Sequence, residues 1–327
     1  MVIAAYEVRP DEIPYLKQLE VREGCTIVLH PEGLTPEAIP ELPEGCAVSV
    51  LGMHHYGPAE LQAMAARGVC ALSTRTVGYN HIDLEAARAC GIPVCNARYD
   101  PNGVADYTVM MILLCLRNYK QALWRLQVND YSLGGLMGRQ LKDLTVGVIG
   151  TGRIGAQVIR NLSGFGCRVL AHDTQINESI QGMAEYVPLD ELYRRSDVIT
   201  LHVPLLLETW HMINDKSLSL MKDGVVLINC ARGDLMDINA LIHGIETEKI
   251  GALGLDVLES EEGIVHKDRK TDIFSNREMA YLRQFKNVVY TPHMAFYTDT
   301  AVAQMVECGI LGCLRLARGE ACPTRLV

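Results

Sequence analysis

Three polar side chains stand just past the ends of apolar runs in the second half of the chain. "VVLIN" leads into "CARGD" with Arg232. "ALGLDV" leads into "LESEE" with Glu259, Glu261 and Glu262, and "NVVYTP" leads into His293. Singly, each has a plain explanation: a solvated loop cation, a solvated or structural carboxylate, a polar loop residue. Together they have one chemistry. A protonated histidine donates a proton near neutral pH. A carboxylate beside it favours the charged form, each pKa unit being about 1.4 kcal/mol. Arginine grips a carboxylate with planar paired donors, as lysine does not. That set suits proton delivery to the carbonyl oxygen of a 2-oxo acid as hydride arrives at carbon. Spacing alone leaves the choice among the three glutamates open.

A hydride carrier has its own signature. "VGVIGTGRIG" sets Gly150, Gly152 and Gly155 in the pattern GxGxxG, after a strand-like run and before the helical pattern "AQVIRNLSGFG". The first glycine permits a tight turn, the second lets backbone approach a pyrophosphate, and the third lets the helix pack close, its N-terminus facing the phosphates. Asp173 ends the next strand-like run, 18 residues past Gly155. It can accept from both ribose hydroxyls and would repel a 2′-phosphate, so NAD is expected rather than NADP.

These residues need a scaffold that puts strand ends in one row. Short β-rich runs alternate with helical patterns: "VIAAY" (2–6), "TIVL" (26–29), "AVSVL" (47–51), "VCALST" (69–74) and "PVCN" (93–96), then "TVGVI", "RVLAH", "DVITLHV", "GVVLIN", "ALGLDV" and "NVVY". Alternation of this kind predicts parallel sheets, and the near-continuous apolar runs of the second set suit strands buried on both faces. "DLEAARACG" reads as a helix with Asp83 as N-cap and Gly91 just past its end. One long apolar helix is expected from about 102 to Trp124, and a final helix around 299–318 returning to the first domain. The expected fold is α/β, with two Rossmann-like, doubly wound parallel-sheet domains, the second inserted into a discontinuous first. A cleft between them is the default ligand site.

Composition narrows the function classes. The chain has 327 residues, 49% of them hydrophobic, and a net charge of −9. No Lys/Arg-rich block appears, so nucleic acid and anionic membranes are not expected partners. The N-terminus lacks a signal-peptide pattern, and the longest apolar run, "VMMILLCL", is far short of a membrane span. Eleven scattered cysteines without a CxxC pair predict reduced thiols in a cytoplasm. No ligand spacing for a metal is evident.

"VGVIGTGRIG", "HVPL", "NCARGDLMD", "LDVLESEEG" and "TPHMAFYT" resemble the signature blocks of the NAD-dependent D-2-hydroxyacid dehydrogenases. The resemblance is to the D-lactate dehydrogenase branch, including its vancomycin-resistance and aryl-lactate members, and it covers nearly the whole chain. It implies a flavodoxin-like substrate domain at 1–100 plus 298–327 and an NAD-binding domain at 101–297. A dimer-forming arm near 118–145, with Tyr119, Trp124 and Tyr131, implies a homodimer.

Residue by residue, the resemblance makes Arg232 the holder of the substrate carboxylate and carbonyl, His293 the acid/base, and Glu261 its partner. Glu261 is chosen because it lies five residues after Asp256, the aspartate that approaches the nicotinamide. Glu259 and Glu262 are left as solvated or structural. Cofactor positions are Arg153, Ile154, Asp173, Val203, Pro204, Thr209 (an Asn in some relatives), Cys230 and Ala231. Cys230 also reads as a small buried apolar residue. The amides of Val77 and Gly78 are implied to bind the substrate carboxylate. Tyr99 is implied to line the pocket, with interdomain packing as its alternative.

Leu51 stands where lactate-preferring members often carry a bulky aromatic, which implies a larger pocket, and Phe296 and Tyr297 could then contact a larger side chain. His54 and His55 near this wall read as loop residues. The implied activity is NADH-dependent reduction of pyruvate to D-lactate. The alternatives are a reductase preferring aryl or branched 2-oxo acids and, from another class, an NAD(H)-sensing binding protein without turnover.

Overall fold

The computed structural model describes residues 1–261, 263–272 and 276–327. The chain divides into two compact units, Met1–Asp100 with Tyr297–Val327, and Pro101–Phe296.

The first unit is built on five parallel strands, β1 (Val2–Ala5), β2 (Thr26–Leu29), β3 (Ala47–Val50), β4 (Ala71–Thr74) and β5 (Val94–Cys95), in the order β2-β1-β3-β4-β5. The central β3 and β4 are buried along their whole length, as strands covered on both faces must be. Asp83 caps the helix Leu84–Ala89 by accepting from the Ala86 amide, and Gly91 follows at φ +70°. The helix Asp299–Ala317 belongs to this unit. It is long and apolar enough by length and composition alone to cross a membrane. Its Val306, Ile310, Cys313 and Leu314 are core residues here, packed with Ile3, Ala47 and Ala71.

Among the described residues, the second unit carries seven parallel strands, one more than the six expected. They are β6 (Thr145–Ile149), β7 (Arg168–His172), β8 (Glu185–Tyr186), β9 (Val198–Leu201), β10 (Val225–Asn229), β11 (Ile250–Leu255) and β12 (Val288–Tyr290), in the order β12-β11-β10-β9-β6-β7-β8. The additional β8 is a two-residue edge strand, too short for any periodicity. The long helix expected from 102 to 124 is two helices, Asn102–Leu116 and Tyr119–Leu126. Asn118 breaks it at φ +49°, a left-handed conformation that asparagine tolerates better than most residues.

Register carries the argument to the site. Tyr290 pairs with Leu255, Leu255 with Asn229, Asn229 with Leu201, Leu201 with Ile149, and Ile149 with His172. These six residues form one row across the carboxyl edge of the sheet. Everything that follows a strand by one to six residues therefore emerges along a single rim, and the strand order reverses between β6 and β9, where such sheets bind ligands.

Candidate active site

Gly150 follows β6 at φ +93°, and a Cβ there would lie 2.6 Å from the His202 carbonyl carbon and oxygen. A Cβ on Gly155 would lie 1.9 Å from the Gly150 oxygen. Both positions are closed to any side chain. Gly152, the N-cap of the helix Arg153–Ser163, has nothing within 4 Å of its would-be Cβ. The turn is therefore tight where helix meets strand and open where the helix N-terminus begins, which is the shape a pyrophosphate needs. Arg153 and Ile154 form the first turn of that helix.

Asp173 stands one residue past β7. Its Oδ2 accepts from the Thr151 amide (2.5 Å) and hydroxyl (3.1 Å), and its Oδ1 from the Gln175 amide (3.2 Å). Burial pushes its pKa up, but these hydrogen bonds outweigh it and hold the carboxyl below its ordinary value. Asp173 is thus a fixed anion tied to the glycine turn through Thr151. Val203 and Pro204 follow β9. Thr209 closes their loop: its hydroxyl accepts from the Leu206 amide (2.8 Å) and donates to the Pro204 carbonyl (2.7 Å). The residues present fit an NAD molecule.

Past β10, Asn229 shapes the next loop. Its side chain accepts from the Ala231 amide (2.9 Å) and donates to the Arg232 carbonyl (2.7 Å). Arg232 itself is extended, and its Nη1 donates to the Ala231 carbonyl (2.6 Å). A Cβ on Gly233 would lie 2.1 Å from the Leu258 carbonyl carbon, so this loop lies directly on the backbone that leads to Glu261. The Cys230 thiol packs beside the core of the unit and is pushed up in pKa by burial, so it stays a neutral thiol.

Past β12, His293 sits at φ +52°, which costs a non-glycine residue energy unless neighbours impose it. Asp256 imposes it. Its carbonyl accepts the His293 amide (2.7 Å). Its fully buried carboxylate accepts from Thr291 Oγ1 (2.7 Å) and from the amides of Met294 (2.9 Å) and Ala295 (2.7 Å). His293 Nδ1 then meets Glu261 Oε1 at 2.6 Å, and Glu261 Oε2 accepts the Leu258 amide at 2.9 Å. A carboxylate only accepts, so Nδ1 carries the proton of this bond and Nε2 is the nitrogen at which a proton can be gained or lost. The Phe296 and His266 rings lie near the His293 ring, at 6.4 and 6.0 Å between centroids.

The structure thus brings Glu261 and His293 together and separates them from Glu259, which pairs with His211 Nε2 at 3.0 Å. Glu262 lies outside the described residues. The organising roles of Asn229, Asp256 and Thr291 were not read from the sequence. For Asn229 the signal was available, since a polar residue ending an all-apolar buried strand asks for a partner.

In the first unit, the coil after β4 carries Val77 and Gly78. Their carbonyls are tied down, Val77's by Asn96 Nδ2 (2.8 Å) and Gly78's by Thr76 Oγ1 (2.6 Å). Those bonds do not use the amides of Val77 and Gly78. Tyr99 lies half-buried in the coil that ends this stretch, and Leu51 is 7% exposed just past β3.

Residues 109–295 match the family model "D-isomer specific 2-hydroxyacid dehydrogenase, NAD binding domain". The chain is 44% identical over 310 residues to an aromatic 2-oxoacid reductase of Clostridium sporogenes, covering 94% of this chain and 93% of that one. It is 36% identical over 325 residues to a D-lactate dehydrogenase of Lactobacillus delbrueckii subsp. bulgaricus, covering 98% of each. The solved structure of a D-2-hydroxyisocaproate dehydrogenase superposes with a TM-score of 0.90 at 34% identity, covering 100% of this chain and 99% of that one. With the glycine turn, the anionic Asp173 and the sheet order in place, the chain belongs to the NAD-dependent D-2-hydroxyacid dehydrogenases, in their D-lactate dehydrogenase branch.

Proposed function

We propose that the protein reduces a 2-oxo acid to the D-2-hydroxy acid with NADH, and that Arg232, Glu261 and His293 carry the chemistry. The observation that supports this most directly is the 2.6 Å bond between Glu261 and His293 Nδ1, on the rim that also carries the glycine turn. The nicotinamide, when bound, supplies the hydride. Arg232 holds the substrate carboxylate through its paired donors. His293 gives its Nε2 proton to the carbonyl oxygen and is left as neutral imidazole. Glu261 keeps the ring oriented through its bond to Nδ1. Asp256 holds the loop so that His293 stays at the rim. In the first unit, the amides of Val77 and Gly78 are donors suited to a carboxylate.

Purified protein should oxidise NADH with pyruvate, phenylpyruvate or 2-oxoisocaproate, and no turnover on any of them would overturn the reading. It would favour an NAD(H)-sensing protein instead. The substrate side chain has two readings. Pyruvate follows from the D-lactate dehydrogenase branch. Leu51 in place of a bulky aromatic, with the higher identity to the aromatic 2-oxoacid reductase, supports an aryl or branched 2-oxo acid. The ratio of kcat/KM for phenylpyruvate and pyruvate decides.

A homodimer in the cytoplasm completes the reading. Tyr131, Leu133 and Met137 are 75, 83 and 92% exposed on the arm. A groove of about 730 Å³ lined by Val109, Met110, Leu113 and Phe165 lies in the same unit. Apolar surface of this extent suits a second copy of the chain. Sedimentation at micromolar concentration should give twice the 36.1 kDa chain mass. The thiols found in the chain are all unbridged, as in a reducing compartment.

A further inference from the structure

Glu7 is a buried carboxylate that the hydride and proton chemistry does not use. It follows β1 at φ +58°, with its own amide bonded to the Glu32 carbonyl (2.9 Å). Three amide donors and one imidazole nitrogen converge on its two oxygens. Oε2 accepts the amides of Leu51 and Gly52, both at 2.7 Å, and Oε1 accepts the Met53 amide at 3.1 Å and meets His54 Nδ1 at 2.8 Å. Three successive amides turned toward one anion form a backbone nest. The nest is braced from outside. A Cβ on Gly33 would lie 1.8 Å from His54 Cε1, and one on Gly52, at φ +95°, would lie 2.9 Å from the His81 ring.

We infer that Glu7 is a positioning residue for substrate selection: by filling this nest it holds the 51–54 loop, and so sets the room that Leu51 leaves for the side chain of the 2-oxo acid. The inference rests on the proposed reading that Leu51 bounds that side chain. Only a carboxylate satisfies the nest. A glutamine, whichever way its amide turns, sets an NH2 against at least one of the three backbone amides, Leu51 and Gly52 on one side or Met53 on the other, and leaves it without an acceptor.

The test uses the full chain with NADH and compares phenylpyruvate with pyruvate for Glu7→Gln, Gly33→Ala and Leu51→Ala. Hydrogen exchange at the amides of residues 51–53 is followed alongside. For Glu7→Gln, exchange there should quicken about tenfold or more, as expected when a hydrogen bond to a charged acceptor is lost. The phenylpyruvate-to-pyruvate ratio of kcat/KM should move about fivefold or more, through KM, with kcat at saturation within about threefold and NADH affinity unchanged. Gly33→Ala drives a methyl into the His54 ring and should move the ratio the same way by less. Quickened exchange with an unmoved ratio, while Leu51→Ala moves it, overturns the inference and leaves the Leu51 reading standing. If Leu51→Ala also leaves the ratio unmoved, the Leu51 reading fails, and the inference with it. Should Glu7→Gln not fold, an unmoved ratio in Gly33→Ala overturns it.

Discussion

One loop, two residues apart, supplies carboxylates to two histidines, and the two pairs are built in opposite senses. Glu261 meets the near nitrogen of His293, Nδ1, at 2.6 Å, whereas Glu259 meets the far nitrogen of His211, Nε2, at 3.0 Å. Both histidines have positive φ. The His211 ring stacks on Trp210 with centroids 3.7 Å apart, and the second oxygen of Glu259 accepts the Ile238 amide (3.3 Å). This pair ties the turn before β10 to the helix that follows it. In the other pair the carboxylate grips the base of the ring, and in the proposed mechanism the far nitrogen serves the substrate. A Glu–His contact is therefore not a catalytic signature in itself; on the proposed reading, the nitrogen that the carboxylate takes separates a strut from an acid.

The largest effect that could break this comparison lies at His293. His293→Ala should lower kcat by about 10²- to 10⁴-fold, the usual contribution of a positioned acid, while NADH affinity measured by fluorescence titration stays near wild type. A loss as large in His211→Asn would erase the distinction. Next is Glu261→Gln, which keeps size but removes the charge. Losing a charge-assisted hydrogen bond of about 1.5–3 kcal/mol should lower kcat by about 10- to 150-fold. Glu259→Gln, assayed in parallel with a saturating 2-oxo acid, should stay within about threefold of wild type.

How much of this was legible in the sequence follows from what each feature depends on. The strands and the glycine turn depend on neighbours in the chain. Apolar runs, glycine spacing and Asp173 at the next strand end all lie within one βαβ unit, so they could be read directly. The choice of Glu261 over Glu259 was not local: each pairs with a histidine at least 32 residues away, and it took a family resemblance to separate them. The break at Asn118 was missed because the apolar pattern runs through it, while a single residue at φ +49° turns the chain. Strand β8 was missed because two residues hold no period. Asp256 was read as a neighbour of the nicotinamide, yet its carboxylate bonds Thr291, Met294 and Ala295, contacts that only the folded register creates.

Smaller effects sharpen the comparison on the side of stability. His211→Asn leaves Glu259 with one partner fewer in a half-buried place, and should lower unfolding free energy by about 1–2 kcal/mol, read from urea midpoints. A third histidine on the same rim, His202, has no carboxylate bonded to it among the described residues. It follows β9 beside the glycine turn, and its Nε2 faces the Thr200 hydroxyl at 3.0 Å. Desolvation pushes its pKa down to about 3. The sign of the consequence is fixed by that direction. The unfolded chain takes a proton on this histidine near pH 6.5, while the folded chain refuses it until far lower. Its contribution is therefore complete above about pH 6.5 and is lost as the pH falls through the window down to about 3, by at most about 1.4 kcal/mol per unit. The residue keeps some exposure, so the real slope is shallower. Between pH 7.5 and 5.5 the wild type should lose about 1 kcal/mol more stability than His202→Gln, measured by urea denaturation at both pH values. Equal losses would mean that the ring is hydrated in the folded state, and that a histidine on this rim needs no carboxylate to carry charge. The division of labour between Glu259 and Glu261 would then have to rest on geometry alone.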